Sequence, residues 1–420
     1  MIKVLYLLPE VPVPVTSGGK AVFKSHVERL ATDKDIELTL IAVDVDGNRA
    51  EGLDWLKAHA RKAVLLPRSI PLISSGAGAT FASVLSYVRS SLPRAVAVRA
   101  GAAVQAQVRA EWTSADVVVA DHISAMGMLP PDLLDADGPP ILLIEHNAEA
   151  CLLAQRAADT GGANPKALVF RIDESRMRRF EAAAVKRAAQ VACISCDDLS
   201  GVEAMGPRKP VAEIPFVLEP ASVPWSFNGS KRLLFVGPFG YFTNRDAIRW
   251  LCTQLAPHLL ALDRDIRIDL IGTRANELPA SWVAAAGPLL SCHGNTSRED
   301  LVALHYGCDL FLCPLEFGSG IKIKVLEALS FGVPVLSTAE GLKGLRFVAP
   351  ASRFEREQAG LVAQRIAKYL TSRQAAEELA AMNWTAYAAH WTAAQGALRN
   401  LVYAVAGGGL SAPVNTVSLK

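Results

Sequence analysis

Five residues between positions 318 and 327 have the types and spacing of an anion-binding loop. Gly318 and Gly320 let the backbone approach a ligand closely, and Lys322 and Lys324 add positive charge near the start of a predicted helix. A helix N-terminus disfavours cations, so two lysines in a first turn are unfavourable unless an anion lies beside them. Glu327 follows one to two turns later and can accept hydrogen bonds from hydroxyl groups. The pattern favours a phosphate site; the alternative is an ordinary loop and helix with solvated lysines.

This stretch lies within a strand–loop–helix–strand unit. Residues 310–313 are predicted to be a short buried strand, a loop follows, and residues 320–329 have the apolar spacing of a helix. Gly332 is well placed to end that helix, and residues 333–337 are the next predicted strand. This order of elements is typical of a parallel α/β sheet.

Two parts of the chain begin with the same order of elements. Residues 2–8 and residues 232–236 are predicted strands, and each is followed by a glycine-containing loop and an amphipathic helix, over 20–31 and 245–262. The segment 207–230 is rich in proline and separates the two parts. The sequence therefore predicts two Rossmann-like domains of the α/β class.

Polar residues follow two predicted strands of the first half. Asp121 and His122 come after the strand over 117–119, and His146, Asn147 and Glu149 come after the next strand. Ligands bind at the carboxyl ends of strands in open α/β sheets, so these side chains are candidates for a site. The alternative for each histidine is a hydrogen-bonded structural role. The His-Asn-x-Glu run is too compact to close a metal shell by itself.

The stretch GSGIKIKVLEALSFGVPVLST, with GLKGL shortly after it, resembles the donor-site motif of retaining GT-B glycosyltransferases of family four, the glycosyl transferases group 1. It is similar to the subset with a GxGxKxKVLEA motif. Many relatives carry two glutamates separated by seven residues, but Ser319 stands at the first of these positions. In many relatives an Arg and a Lys follow the second glycine loop; here Pro238 and Thr243 or Asn244 stand there.

The resemblance implies roles for particular residues. It implies that loop and helix amides hold the donor diphosphate and that Glu327 binds the nucleotide ribose. The donor-binding residues implied are Gly18, Gly19, Gly237, Asn244, Gly318, Ser319, Gly320, Ile321, Lys322, Lys324 and Glu327. Catalytic roles fall to Asp121, His122 and Lys322, and acceptor-side positions to His146, Asn147 and Glu149.

The resemblance also implies a GT-B architecture, with two Rossmann-like domains facing each other across a cleft. We expect an N-terminal acceptor domain over 1–215, completed by a C-terminal helix at about 384–405, and a donor domain over 216–383. Residues 406–420 are expected to be a loose tail because they are rich in glycine and small polar residues.

Composition limits the possible partners. The chain has 420 residues and a net charge of +2, which gives no indication of nucleic-acid binding. No apolar run approaches the ~20 residues of a membrane span, and no export signal is visible, so we expect a cytoplasmic protein. A contact with the inner membrane face stays open, because Arg89, Arg94 and Arg99 could face acidic lipid or acceptor as well as solvent. Seven cysteines, an odd number, argue against a disulfide framework.

The expected activity is transfer of a sugar from a nucleotide-diphosphate sugar to a hydroxyl of a glycan, a lipid-linked glycan or a small molecule. By resemblance, the transfer retains the anomeric configuration and needs neither a metal nor a resident cofactor. Two alternatives stay open: another enzyme of this fold, such as an epimerase or a phosphorylase, and a non-catalytic nucleotide-sugar binder. The base, the sugar, the acceptor, the linkage and the oligomeric state are not distinguished by the sequence.

Overall fold

The computed structural model describes residues 1–69, 91–134, 137–160, 165–318 and 320–407. Ser319, Arg89 and most of the predicted tail lie outside these ranges. The chain divides into two compact units. Unit 1 comprises Met1–Phe216 together with Gln395–Lys420, and unit 2 comprises Val217–Ala394.

Unit 1 is built on a seven-stranded sheet in which all neighbouring strands pair in parallel. The strands are β1 (Ile2–Leu8), β2 (Ile36–Asp44), β3 (Lys62–Pro67), β4 (Val117–Asp121), β5 (Ile141–Glu145), β6 (Gln190–Cys193) and β7 (Ala212–Glu213). Their order is β3-β2-β1-β4-β5-β6-β7. Strands β4 and β5 are buried along their whole length, which explains their nearly continuous apolar sequences.

Helices connect these strands. They are α1 (Gly18–Ala31), α2 (Arg49–His59), α3 (Arg94–Ala97), α4 (Ala102–Trp112), α5 (Glu149–Asp159), α6 (Pro165–Arg187) and α7 (Leu199–Glu203). Helices α5 and α6 pack against each other as a hairpin. Helix α5 was not predicted from the sequence, although it positions Glu149 as its first residue.

Unit 2 contains a five-stranded parallel sheet in the order β10-β9-β8-β11-β12. Its strands are β8 (Arg232–Val236), β9 (Arg267–Ile271), β10 (Leu290–His293), β11 (Leu310–Cys313) and β12 (Val335–Ser337). Its helices are α8 (Phe242–Trp250), α9 (Ala256–Leu262), α10 (Ala280–Ala286), α11 (Arg298–Gly307), α12 (Ile323–Ser330), α13 (Ala359–Thr371) and α14 (Arg373–Ala394). The predicted α/β class with parallel sheets is confirmed.

Each sheet has one point at which the strand order reverses. In unit 1 the reversal lies between β1 and β4, and in unit 2 it lies between β8 and β11. Right-handed crossovers place the connecting helices on opposite faces on the two sides of such a point, which leaves a crevice at the carboxyl ends of the two strands. The loops after β1, β4, β8 and β11 are therefore the places to look for a site.

The last described helix, α15 (Ala397–Val405), packs on unit 1 against α1, β4 and β5. Asp33 holds it by an ion pair with Arg399 and a hydrogen bond from the Tyr403 hydroxyl at 3.3 Å. The prediction of one helix over 384–405 is wrong, because the chain breaks at Gly396 with φ +76° and helix α14 instead continues from Arg373 to Ala394.

Two predicted helix starts near the donor motif are also wrong. Helix α12 begins at Ile323, three residues later than predicted, because Gly320 adopts φ +65°, which is incompatible with a right-handed helix. Helix α8 begins at Phe242, three residues earlier than predicted, and Asn244 therefore lies in its first turn. Both shifts change which side chains reach the carboxyl edge of the sheet in unit 2.

Candidate functional site

Lys324, the second residue of α12, points its ammonium group at the loop that follows β8. Its Nζ donates to the Asn244 Oδ1 at 2.6 Å and lies 4.4 Å from the centroid of the Phe235 ring. Desolvation lowers the pKa of Lys324 to about 8, and the nearby charge of Lys322 adds to this effect. Among the described residues, no carboxylate lies within ion-pairing distance of this nitrogen. The site therefore holds a positive charge that the protein does not neutralise.

Gly237 makes room for that ammonium group. A Cβ atom at this position would lie 2.9 Å from the Lys324 Nζ and 2.7 Å from the Asn244 Nδ2. Gly237 also has φ +157°, a backbone conformation that residues other than glycine rarely adopt. A glycine is therefore required here both for the backbone conformation and for the close approach of the lysine.

Lys322 has a different environment from the one predicted. It precedes α12 instead of lying in its first turn, and its Nζ donates to the Gly320 carbonyl at 2.8 Å and pairs with the Glu340 Oε1 at 3.2 Å. Burial lowers the pKa of Lys322, and Glu340 opposes this shift. Gly318, with φ +145°, lies against this lysine, since a Cβ there would be 3.5 Å from its Nζ. The expectation that both lysines lack an anionic partner is thus wrong for Lys322.

Glu327 lies within α12 and is held by Arg298, the first residue of α11. The Arg298 Nη1 forms an ion pair with the Glu327 Oε1, and the guanidinium lies 5.9 Å from the centroid of the Phe331 ring. The Glu327 side chain is 12% exposed and that of Arg298 is 61% exposed. One carboxylate oxygen is thereby fixed, and no local pattern indicates this partner, which is 29 residues away.

An open groove of about 640 Å³ runs along α11 from the end of β10. It is lined by Arg232, His293, Gly294, Thr296, Asp300 and Gly307, among others. Buried Asp269 lies beneath it and accepts hydrogen bonds from Arg232, at 2.6 and 2.7 Å, and from the His293 Nε2, at 3.0 Å. His293 and Gly294, at the end of β10, therefore border this groove.

In unit 1, Asp121 lies at the end of β4 and is completely buried. Its Oδ2 accepts from the Tyr6 hydroxyl at 2.7 Å and is 3.1 Å from the His26 Nδ1, and its Oδ1 is 2.7 Å from the His146 Nε2. Burial alone would raise the pKa of Asp121, but the two histidines hold it far below its usual range. Asp121 is thus an ionised support beneath the surface, and Tyr6 and His26 are partners that sequence reasoning missed.

Asp121 and its two histidine partners are the one cluster in the described ranges with the composition of a metal site. One ligand atom each from His26, Asp121 and His146 lies within 4.8 Å of the others. Hydrogen bonds between the rings and the carboxylate already satisfy these atoms, so the geometry is explained by a hydrogen-bonded triad.

His122 is held in a single orientation at the carboxyl edge of unit 1. It has φ +89°, and its Nδ1 accepts from the Ser124 backbone N–H at 3.1 Å. The ring proton of neutral His122 therefore belongs on Nε2, which lies 3.2 Å from the Glu149 Oε1. Because both ring nitrogens of neutral His122 are engaged, with the Nε2–H donating to Glu149, neither nitrogen is free to act as a base.

Glu149 is in turn supported by α6. Its backbone N–H donates to the Glu181 Oε1 at 2.9 Å, and the Asn147 Nδ2 lies 3.4 Å from its Oε1. Burial would raise the pKa of Glu149, but the hydrogen bond and charge of His122 lower it. Burial raises the pKa of Glu181 to about 7. Neither carboxylate oxygen of buried Glu145 has a hydrogen-bond partner in the described part of the chain, and burial raises its pKa well above the usual range.

The glycine pair of the first loop lies in the first turn of α1. Gly18 is the first helical residue, and the Ser17 side chain caps the helix by accepting from the Lys20 N–H at 3.2 Å. Arg99 lies near this edge and donates to the carbonyls of Pro9 and Ala95, at 2.8 and 2.6 Å. Arg99 is thus partly buried and fixed, which differs from the solvated alternative for this residue.

Comparison with known proteins agrees with this description of unit 2. Residues 230–371 match the family described as Glycosyl transferases group 1. A protein of Klebsiella pneumoniae named "Uncharacterized 44.6 kDa protein in cps region" is 28% identical over 116 residues. That match spans 27% of this chain and only 30% of the relative's length.

Solved structures resemble nearly the whole chain. Sucrose-phosphate synthase from Thermosynechococcus elongatus has a TM-score of 0.67 at 15% identity, over 97% of this chain and 100% of that one. TarM has a TM-score of 0.66 at 10% identity, over 96% and 99%. Anabaena HepE in complex with UDP-glucose has a TM-score of 0.64 at 12% identity, over 96% and 100%. At these identities the likeness concerns the fold.

No helix in the described ranges has the length and apolarity needed to cross a membrane. The family match covers the unit that contains Gly237, Lys322, Lys324 and Glu327. The chain therefore carries a glycosyl transferases group 1 domain at residues 230–371, on the fold of GT-B glycosyltransferases.

Proposed function

We propose that the protein is a glycosyltransferase that moves a sugar from a nucleotide-diphosphate sugar to a hydroxyl acceptor. The observation that carries this proposal is the ammonium group of Lys324, which lies beside Gly237 at the reversal point of the sheet in unit 2 and has no carboxylate partner in the described part of the chain. A diphosphate would supply the missing negative charge, and its charge grows as the bond to the sugar breaks. A fixed cation at this position therefore stabilises the leaving group more than the bound donor.

The neighbouring residues fit the rest of a nucleotide. Glu327 has one oxygen fixed by Arg298, and its second oxygen can accept hydrogen bonds from ribose hydroxyls. The groove beside His293 offers space for the base. HepE is a structural neighbour whose structure contains UDP-glucose, so UDP-sugars are the first donors to test.

We also propose that the transfer retains the anomeric configuration and needs no metal. The resemblance of the donor motif supports retention, and the ammonium group of Lys324 supports metal independence because it lies where cationic charge is needed. NMR of the product anomer, and turnover measured with and without EDTA, test these two points. The acceptor is proposed to be a glycan, a lipid-linked glycan or a small molecule; the structure of the neighbour TarM contains α-GlcNAc-glycerol and UDP.

A second candidate is a nucleotide-sugar binder without activity. The observation that favours it is the pairing of Lys322 with Glu340, which leaves Lys324 as the main uncompensated charge for a diphosphate. Binding of a UDP-sugar with no hydrolysis and no transfer to a panel of glycan acceptors would favour this candidate.

The deciding experiment is a thermal-shift panel of UDP, GDP, ADP and dTDP on wild type and Lys324→Met, with EDTA present or absent. A ligand at ~100 times its dissociation constant stabilises the fold by roughly 2.7 kcal/mol, which gives a clear shift. We expect one preferred nucleotide, no effect of EDTA and a lost shift in the variant. Lys368→Met, on the exposed surface of α13, is the matched control. No shift with any nucleotide would overturn the proposal.

A further inference from the structure

The N-terminal half of α6 exposes a patch of large apolar side chains. Leu168, Val169 and Ile172 are 61%, 46% and 41% exposed. They lie within five consecutive positions of one helix. Single exposed apolar residues are normal on a protein surface, but a contiguous group is typical of an interaction site.

Basic residues surround this patch. Arg171 and Arg179 are exposed, and so is Arg178, which pairs with Glu174 one turn away. Helix α6 carries seven basic residues and three acidic ones, while the whole chain has a net charge of only +2. The positive charge of the molecule is therefore concentrated on the helix that carries the apolar patch.

We propose that the patch formed by Leu168, Val169, Arg171, Ile172 and Arg179 docks the protein onto an anionic lipid surface. A helix that combines exposed apolar side chains with arginines binds such surfaces by burying the apolar groups below the headgroups and pairing the cations with lipid phosphates. The charge argues for lipid over an apolar protein partner, because arginines at the edge of a protein interface would need matching acids.

The position of the patch relates it to the edge of unit 1. Ile172 and Leu168 precede Glu181 by nine and thirteen residues, which is about 14 and 20 Å along the helix axis. Glu181 accepts from the backbone N–H of Glu149, the partner of His122. A bilayer at the patch would therefore lie within about 20 Å of the proposed acceptor side. This last step rests on the proposed function and indicates a membrane-anchored acceptor; the docking itself does not depend on it.

The test is co-sedimentation with vesicles. Wild-type protein is incubated with vesicles of phosphatidylcholine alone and of phosphatidylcholine with phosphatidylglycerol, at low and high salt. We expect binding to the anionic vesicles only, weakened by salt. The double variant Leu168→Ser/Ile172→Ser and the double variant Arg171→Gln/Arg179→Gln should each weaken binding about tenfold or more. Leu361→Ser, at a 60% exposed position of unit 2, should bind like wild type.

Other results would overturn the proposal. Equal binding to both vesicle types, no binding at all, or unchanged binding of both double variants would each contradict it. Size-exclusion chromatography tests whether a second copy of the chain covers the patch. If the wild type is a dimer and the serine variant a monomer, the patch is a dimer interface and the lipid proposal is wrong. A large fall in melting temperature of the serine variant would show instead that the face packs against the chain itself. A nucleotide shift measured on the same samples keeps this test separate from that of the donor site.

Discussion

The two units differ in how the charged groups at their reversal points are paired. At the reversal point of unit 1, Asp121 and His122 have polar partners: Asp121 has three, and His122 is engaged through both nitrogens. In unit 2 the ammonium of Lys324 has an amide oxygen and an aromatic face, but no anion among the residues that the structure describes. Holding a partly desolvated cation without a counter-ion costs folding free energy. Such a group is expected where a ligand supplies the charge, whereas a satisfied network fixes geometry in advance.

The difference assigns distinct tasks to the two edges. The edge of unit 2 gains most from an anionic ligand, because the negative charge of the ligand compensates the cost of desolvating the Lys324 ammonium group. The edge of unit 1 can orient a neutral hydroxyl, because His122 and Glu149 already hold each other in a fixed geometry there. Substitutions in the two units should therefore separate donor affinity from turnover.

The largest effect is expected for Lys324→Met. Removing a preorganised cation at a leaving group typically costs a factor of roughly 10²–10³ in rate. The affinity for UDP should fall by roughly tenfold to a hundredfold, as expected for a lost charge-assisted hydrogen bond. Calorimetry and turnover assays check both values, with Lys368→Met as the control. Unchanged UDP affinity would remove the assignment of Lys324 to the diphosphate and erase the contrast between the units.

His122→Ala and Glu149→Ala test the other side of the comparison. Each should lower kcat by roughly tenfold to a hundredfold, because the hydrogen bond that fixes His122 and Glu149 relative to each other is lost. UDP affinity should stay at the wild-type value, since neither residue belongs to unit 2. Glu149→Gln keeps an oxygen that can accept from the Nε2–H and should recover most of the activity. If His122→Ala turns over like wild type, the acceptor-side assignment is wrong.

The pH dependence of donor binding sharpens the contrast further. The pKa of Lys324 is about 8 in the free protein, below its ordinary value of 10.5. A bound diphosphate favours the charged form and raises this pKa, so binding above pH ~8 requires proton uptake and affinity falls up to about tenfold per pH unit. Without a ligand, the unfolded chain binds more protons than the folded protein between pH ~8 and the ordinary pKa of 10.5. Charged Lys324 therefore lowers the free energy of unfolding below pH ~8, and this destabilisation disappears as the pH rises from ~8 to 10.5.

Calorimetry in two buffers of different ionisation enthalpy measures this proton uptake. We expect nearly no uptake at pH ~7 and close to one proton per site at pH ~9. Lys324→Met should show no uptake from this source at either pH. A wild-type enthalpy that is the same in both buffers at the higher pH would contradict a free lysine in the site.

Local patterns allowed much of the fold and part of the site to be predicted. Strands β1, β4, β5, β8 and β11 are short apolar runs followed by polar, glycine or proline residues, which is a signal within a few positions of the sequence. The rule that ligands bind at the carboxyl ends of strands then selected His122 and Glu149 as candidates without knowledge of their contacts, and the resemblance added Gly237.

What could not be predicted depends on contacts between distant residues. Asp121 contacts Tyr6, which is 115 positions away, and Glu327 contacts Arg298 across two helices. Nothing in the local pattern distinguishes a partner of this kind from a solvated side chain. Helix α5 has amphipathic spacing, but that pattern does not reveal its packing partner, so its role in placing Glu149 became visible only with the hairpin that it forms with α6.

The smallest expected effect concerns Arg298. This arginine forms an ion pair with Glu327, so that one polar group at the edge of unit 2 does have a partner. Arg298→Ala frees the carboxylate, and ordering it again on binding should cost about fivefold in UDP affinity. The loss should be smaller for 2′-deoxy-UDP, which lacks one of the two hydroxyls, and absent for pyrophosphate, which lacks the ribose. Glu327→Ala should weaken UDP more than Arg298→Ala does, and the double variant should resemble Glu327→Ala, because the arginine acts through the glutamate. An equal loss of UDP and pyrophosphate in Arg298→Ala would mean that this arginine contacts phosphate directly. Unit 2 would then hold a second cation for the donor, and the contrast with unit 1 would be larger than the ion pair suggests.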